Sequence, residues 1–86
     1  MKTIHKYPIE LDYDQKVIVM MPAVAKIVLI GSQGPQAFLW ALVNSESPLV
    51  ERQFRLIRTG QPIPGGYDHL GSFVLNNGES TCHLFE

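Results

Sequence analysis

Lys26-Ile27-Val28-Leu29-Ile30-Gly31-Ser32-Gln33, then Gly34-Pro35, then Gln36-Ala37-Phe38-Leu39-Trp40-Ala41-Leu42-Val43-Asn44 is the stretch that decides the fold. Each half has the length and the β-branched and aromatic content of a strand. The Gly-Pro dipeptide between them suits a turn and disrupts regular structure. Side chains of a strand alternate between two faces. On that period Phe38, Trp40 and Leu42 share one face, and Leu39, Ala41 and Val43 share the other. Likewise Ile27, Leu29 and Gly31 oppose Val28, Ile30 and Ser32. Apolar residues on both sides predict a central strand covered on both faces for residues 26–33.

The same alternation recurs outward from this stretch, in residues 51–58, 70–76 and 80–85. Turn-forming segments separate them at residues 45–48 and 60–66 and at Asn76-Asn77-Gly78, where Asn77-Gly78 is a strong hairpin signal because type I′ turns need positive φ at both centres. Towards the start, residues 4–11 alternate, and Pro8 places that strand at a sheet edge or at a bulge. Asp12-Tyr13-Asp14 reads as a connection, residues 16–21 as a short strand ended by Pro22, and residues 23–25 as a turn or a single helical turn. The expected fold is all-β: about seven short, mostly antiparallel strands in a meander, forming a small sandwich or barrel in one domain over residues 1–86. Ile27, Leu29, Phe38, Trp40, Leu42, Phe54, Leu56, Phe73 and Phe85 are the expected interior.

Composition bounds the function. The 86 residues carry a formal charge of −1, which argues against extended nucleic acid as a partner. The single cysteine, Cys82, allows no internal disulfide and fits a reducing cytoplasm. No apolar run has signal-peptide or membrane-spanning length, so no membrane association is expected. A small β domain exposes strand edges that invite pairing, so a homo-oligomer is expected.

No catalytic, cofactor or metal pattern stands out. His5, His69 and His83 are scattered, without the close spacing of zinc ligands. Cys82 shares a strand face with Leu84 and reads as a small buried hydrophobe, while His83 faces the other way. Glu10, Asp12 and Asp14 read as a solvated turn rather than a hydrolytic carboxylate pair. The segment that points to ligand chemistry is basic: Arg52, Arg55 and Arg58 fall within seven residues. Arg52 and Arg58 share a strand face, and guanidinium groups grip phosphate bidentately. Trp40 or Tyr67 could stack on a base. Against this, Glu46 or Glu79 could neutralise the arginines across strands. Ile63 and Tyr67, on the irregular 60–66 segment and just after it, are candidate anchors for a protein partner. With His69, these residues form the candidate binding set.

Four segments carry a family resemblance: Ile4-His5-Lys6-Tyr7-Pro8-Ile9-Glu10, Leu39-Trp40-Ala41-Leu42-Val43-Asn44, Arg58-Thr59-Gly60-Gln61-Pro62-Ile63-Pro64 and Cys82-His83-Leu84-Phe85-Glu86. In order, they span nearly the whole chain. The chain resembles a family of small phage and prophage proteins of unknown function. Members often carry His where this chain has Gln61, so the resemblance gives that position no acid–base or metal role. It implies a viral origin and brings no established activity. The function expected on that basis is non-enzymatic binding in the host cytoplasm, masking a host immune protein. The alternatives are a sponge for an anionic nucleotide signal, held by arginine and aromatic groups, and a minor virion or assembly component.

Overall fold

The computed structural model describes residues 1–10, 16–75, 78 and 80–86. Seven strands form β1 (Lys2–Ile9), β2 (Lys16–Pro22), β3 (Lys26–Gln33), β4 (Gln36–Asn44), β5 (Leu49–Arg58), β6 (His69–Leu75) and β7 (Ser80–Phe85). The all-β expectation holds. Bounds match the alternation at β3, β4 and β7, and β5 begins at Leu49 rather than Glu51. Residues 23–25 form a turn, not a helical one. Asp12, Tyr13, Asp14, Asn76, Asn77 and Glu79 lie outside the described residues.

Two antiparallel sheets face each other, with strand orders β1-β4-β3 and β2-β5-β7-β6. Only β3–β4 and β6–β7 are neighbours both along the chain and within a sheet, so the order is not a sequential meander. Gly34, at φ +60°, supports the β3–β4 turn in a conformation that costs a Cβ-bearing residue energy. Along one seam the sheets approach without a ladder. There Ser32 Oγ donates to the Val74 carbonyl at 2.8 Å, and a Cβ on Gly71 would meet Ile30 Cδ1 at 3.0 Å. These contacts match Ile30 with Gly71 and Ser32 with Val74, so β3 and β6 run the same way. Each strand carries a register shift on this seam, between Ile27 and Leu29 in β3 and between His69 and Gly71 in β6.

The core lies between the sheets. Leu39, Ala41 and Val43 of β4 belong to one buried cluster with Phe54 and Leu56 of β5, Val17 and Met21 of β2, Phe73 of β6, and Cys82 and Leu84 of β7. Full burial of a Leu or Phe side chain contributes roughly 1.5–3 kcal/mol, so this cluster dominates the stability of a domain so small.

Part of the expected interior is reversed. Phe54, Leu56, Phe73 and Phe85 are buried, and Ile27 is partly buried against the core. Leu29 and Leu42 are exposed, and Phe38 and Trp40 are only half-buried. Register explains it. In β4 the smaller row faces the core, and Phe38, Trp40 and Leu42 stand opposite Pro8, Lys6 and Ile4 of β1 on the outside. β3 is correspondingly an edge strand with one open face, not a central strand covered twice. β1 is the other edge, as Pro8 requires.

Candidate functional site

The three arginines of β5 diverge. Arg52 lies on the inner face and points into the end of the sandwich. Its Nε donates to Glu86 Oε2 at 2.6 Å, one Nη to Glu86 Oε1, and the other Nη to the Ala25 carbonyl. The bond to Glu86 pushes the guanidinium pKa up, against a smaller opposite effect of burial. The neutralising carboxylate is therefore Glu86, not Glu46, which is exposed beside the amino terminus. Arg58 does share the face of Arg52. Six residues of strand separate them by about 20 Å, with Phe54 and Leu56 buried between. A small nucleotide bridging both would have to cross the core. Arg55 lies on the outer face, its Nε donating to Tyr67 Oη at 3.4 Å and its guanidinium carbon 5.8 Å from that ring's centroid. Ile63 is exposed on the 59–68 connection.

Two buried residues, Ile57 and Phe85, lie on the outer face of the four-stranded sheet and outside the main cluster. Residues 67–69 make contacts beside them. Tyr67 lies on Arg55, Asp68 exchanges two backbone hydrogen bonds with Glu86, and the His69 ring sits 5.2 Å from Phe85. Beside them runs a chain of polar contacts. His69 Nε2 is 2.9 Å from Ser72 Oγ, Ser72 Oγ is 2.6 Å from His83 Nδ1, and His83 Nε2 is 2.8 Å from Thr59 Oγ1. Thus His69 and His83 meet, while His5 sits on the other sheet beside Tyr7. Among the described residues no group of three His, Cys, Asp or Glu side chains is placed to hold a metal ion.

The outer face of the three-stranded sheet is different in kind. Trp40 stands at its centre, opposite Lys6 of β1 and Leu29 of β3. Around it are Phe38, Leu42, Ile4 and Leu29, with Ile4 and Leu29 56% and 57% exposed. Lys2, Lys6 and Lys26 lie on the same face by register, and no Asp or Glu of these three strands does. The Lys6 ammonium sits 4.5 Å from the Phe38 centroid and bonds Gln33 Oε1 at 3.0 Å. Lysine stems cover apolar surface while their charges stay in water, so the face is apolar at the centre and positive at the rim.

At one end this face runs onto the β2–β3 turn. A depression of about 290 Å³ there is lined by Lys2, Lys26, Leu42, Asn44 and Val24 among others. Val24 is 99% exposed at φ +63°. A β-branched residue in that conformation is an outlier that costs energy and exposes an apolar side chain. Of the sequence-predicted residues, the structure puts only Trp40 on this face. Ile4, Leu29, Leu42, Val24 and the lysines had no local signal, since their common side appears only once β1, β4 and β3 are in register.

No curated protein and no solved structure matches the chain. A family model does, over residues 1–86, and the chain belongs to that family, described as Domain of unknown function (DUF7352).

Proposed function

We propose that this protein is a binding module that masks an acidic protein surface with the outer face of its three-stranded sheet. One observation carries the reading: an open apolar patch centred on Trp40 and rimmed by three lysines, with no carboxylate on the three strands that form it. Tryptophan anchors are enriched at binding hot spots, and single-sign charge steers a complementary partner. A second copy of this chain fits poorly, because stacking two such faces would oppose lysine to lysine. Aliphatic side chains are the most exposed part of the patch, and Lys6 caps the Phe38 ring, which favours a protein over stacked bases. The resemblance to phage proteins supports a host protein as the partner, an immune effector in the host cytoplasm.

The test is a photo-crosslinking amino acid placed in turn at Leu29 and, as a control, at Thr81 on the opposite face, in infected host cells. The expected result is one acidic host protein crosslinked from Leu29 and not from Thr81, and lost in Trp40→Ala and Lys6→Glu variants that still fold. Equal crosslinking from both faces, or crosslinking to nucleic acid from Leu29, would reject the reading.

A further inference from the structure

Ser72 lies on the outer face of the four-stranded sheet, between two imidazoles. The contacts fix the partners around it, and the direction of donation depends on the histidine tautomers. Thr59 Oγ1 donates to the Thr81 carbonyl at 3.5 Å, and a carbonyl oxygen only accepts. We take the direction in which that proton stays directed at the carbonyl, so that Thr59 Oγ1 accepts from His83 Nε2–H at 2.8 Å. That tautomer leaves a lone pair on His83 Nδ1, which accepts the Ser72 hydroxyl proton at 2.6 Å. Ser72 Oγ in turn accepts from His69 Nε2–H at 2.9 Å. The tautomers are assigned from the network. A serine hydroxyl is thereby aimed at the free lone pair of an imidazole held by a third group, the arrangement that activates nucleophiles.

Substrate space adjoins it. A cleft of about 250 Å³ opens on the β3–β6 seam, lined by Ile27, Val28, Leu29, Leu70 and Ser72 among others. The register shifts of both strands fall beside this cleft, and Val28 and Leu70 are 46% and 38% exposed.

From this geometry we infer that Ser72 is a nucleophile for carboxylic esters with a short apolar acyl group. Ser72 Oγ forms a bond to the ester carbonyl carbon while its proton passes to His83 Nδ1. The carbonyl π electrons move to oxygen, where His69 Nε2–H is placed to donate. Collapse breaks the bond to the leaving alkoxide, which takes the proton from His83. The product is an acyl-Ser72, and water attacks it by the same route in reverse, returning the free serine and a carboxylic acid. Thr59 is a positioning residue, since it holds the His83 tautomer and would not touch substrate.

The test uses the full chain with a fluorophosphonate probe and with p-nitrophenyl butyrate. The expected results are one probe adduct per chain, mapped by mass spectrometry to Ser72, and a burst of about one nitrophenolate per chain. Ser72→Ala should abolish both. His83→Gln should slow labelling roughly 100-fold or more, the range of a lost general base. Thr59→Val should shift the pH profile of labelling with the adduct still on Ser72. Absence of an adduct on the parent protein, an adduct at another residue, or labelling of Ser72 at the parental rate in His83→Gln would each overturn the assignment. The parent result does not depend on whether the variants fold.

Discussion

The two sheets share a core but present opposite outer faces. On the three-stranded sheet, Ile4, Leu29 and Leu42 stand exposed around a half-buried Trp40, with lysines on the same face. On the four-stranded sheet, Ile57 and Phe85 are buried, the His69 ring lies near Phe85, and the remaining surface carries imidazole and hydroxyl groups bonded to one another. Apolar surface on the second sheet is therefore covered internally, which is its ordinary fate. On the first it is left open at a cost to solubility that the three lysines moderate. Large exposed patches of this kind mark interaction sites. The two faces differ in kind, with exposed apolar side chains and lysines on one and paired imidazole and hydroxyl groups on the other.

The strongest way to break this comparison uses two adjacent residues, Leu39 and Trp40. Leu39 is fully buried, whereas Trp40 faces outward. Leu39→Ala should cost about 2–5 kcal/mol, enough to lower the melting temperature by ~10 °C or more in a domain of this size. Trp40→Ala should cost less, about 1–2 kcal/mol, because its ring is only half-buried and outside the core. Thermal melts of both variants decide the matter. Equal losses would return Trp40 to the core and close the proposed binding face.

Arg52 sharpens the comparison by showing what a satisfied charge looks like here. It ties β5 to the carboxy-terminal Glu86 and to the Ala25 carbonyl, where the chain crosses from one sheet to the other. Arg52→Ala should lose about 1–2 kcal/mol, at the low end for charge-assisted bonds because both side chains are partly exposed. Arg58→Ala, at an exposed strand end, should stay within about 0.5 kcal/mol. Urea titrations would measure both, and equal effects would mean that the Arg52–Glu86 pair contributes nothing measurable.

Val24 tests the recognition face from its edge. Asparagine accepts positive φ more readily than a β-branched residue does, so Val24→Asn should stabilise the protein by about 0.5–1 kcal/mol. If Val24 is an anchor, the same change weakens partner capture. A variant that is more stable and binds as well as the parent would remove Val24 from the surface.

The class of fold was legible because alternation and turn residues are local properties. Which face of β4 met the core was not. Both rows are apolar, and volume favours Phe38, Trp40 and Leu42, whereas the answer lies in the pairing with β1, which places Lys6 across from Trp40 and Lys2 on the same face. Bulges hid the rest. Residues 69 and 72 differ by three and should face opposite ways, yet the shift between His69 and Gly71 brings both onto one side, where His83 joins them from β7. The shift after Ile27 likewise turns Leu29 outward beside Trp40. A period of two assumes an unbroken ladder, and both surfaces argued here lie where a ladder breaks.

The smallest expected effect concerns Cys82, which sits in β7 directly before His83 and faces the core. It is 2% exposed, and burial pushes its thiol pKa up from 9.0, with Arg58 pulling weakly the other way. A neutral thiol in an apolar setting is a poor nucleophile, so iodoacetamide at pH 8 should leave the native protein unlabelled and react at once after urea unfolding. The linkage has a definite sign. The folded protein holds the thiol proton more tightly than the unfolded chain does, so the unfolded chain binds fewer protons above its own thiol pKa. This contribution to stability is complete below the thiol pKa of the unfolded chain and falls away as pH rises through the raised folded value. Cys82→Ala should remove that alkaline dependence while leaving Ser72 and His83 in place on the outer face. A Cys82→Ala variant whose stability declined with alkaline pH as steeply as the parent's would show that another group titrates there. Rapid alkylation of the native protein would show that β7 opens to solvent, carrying the paired polar face with it.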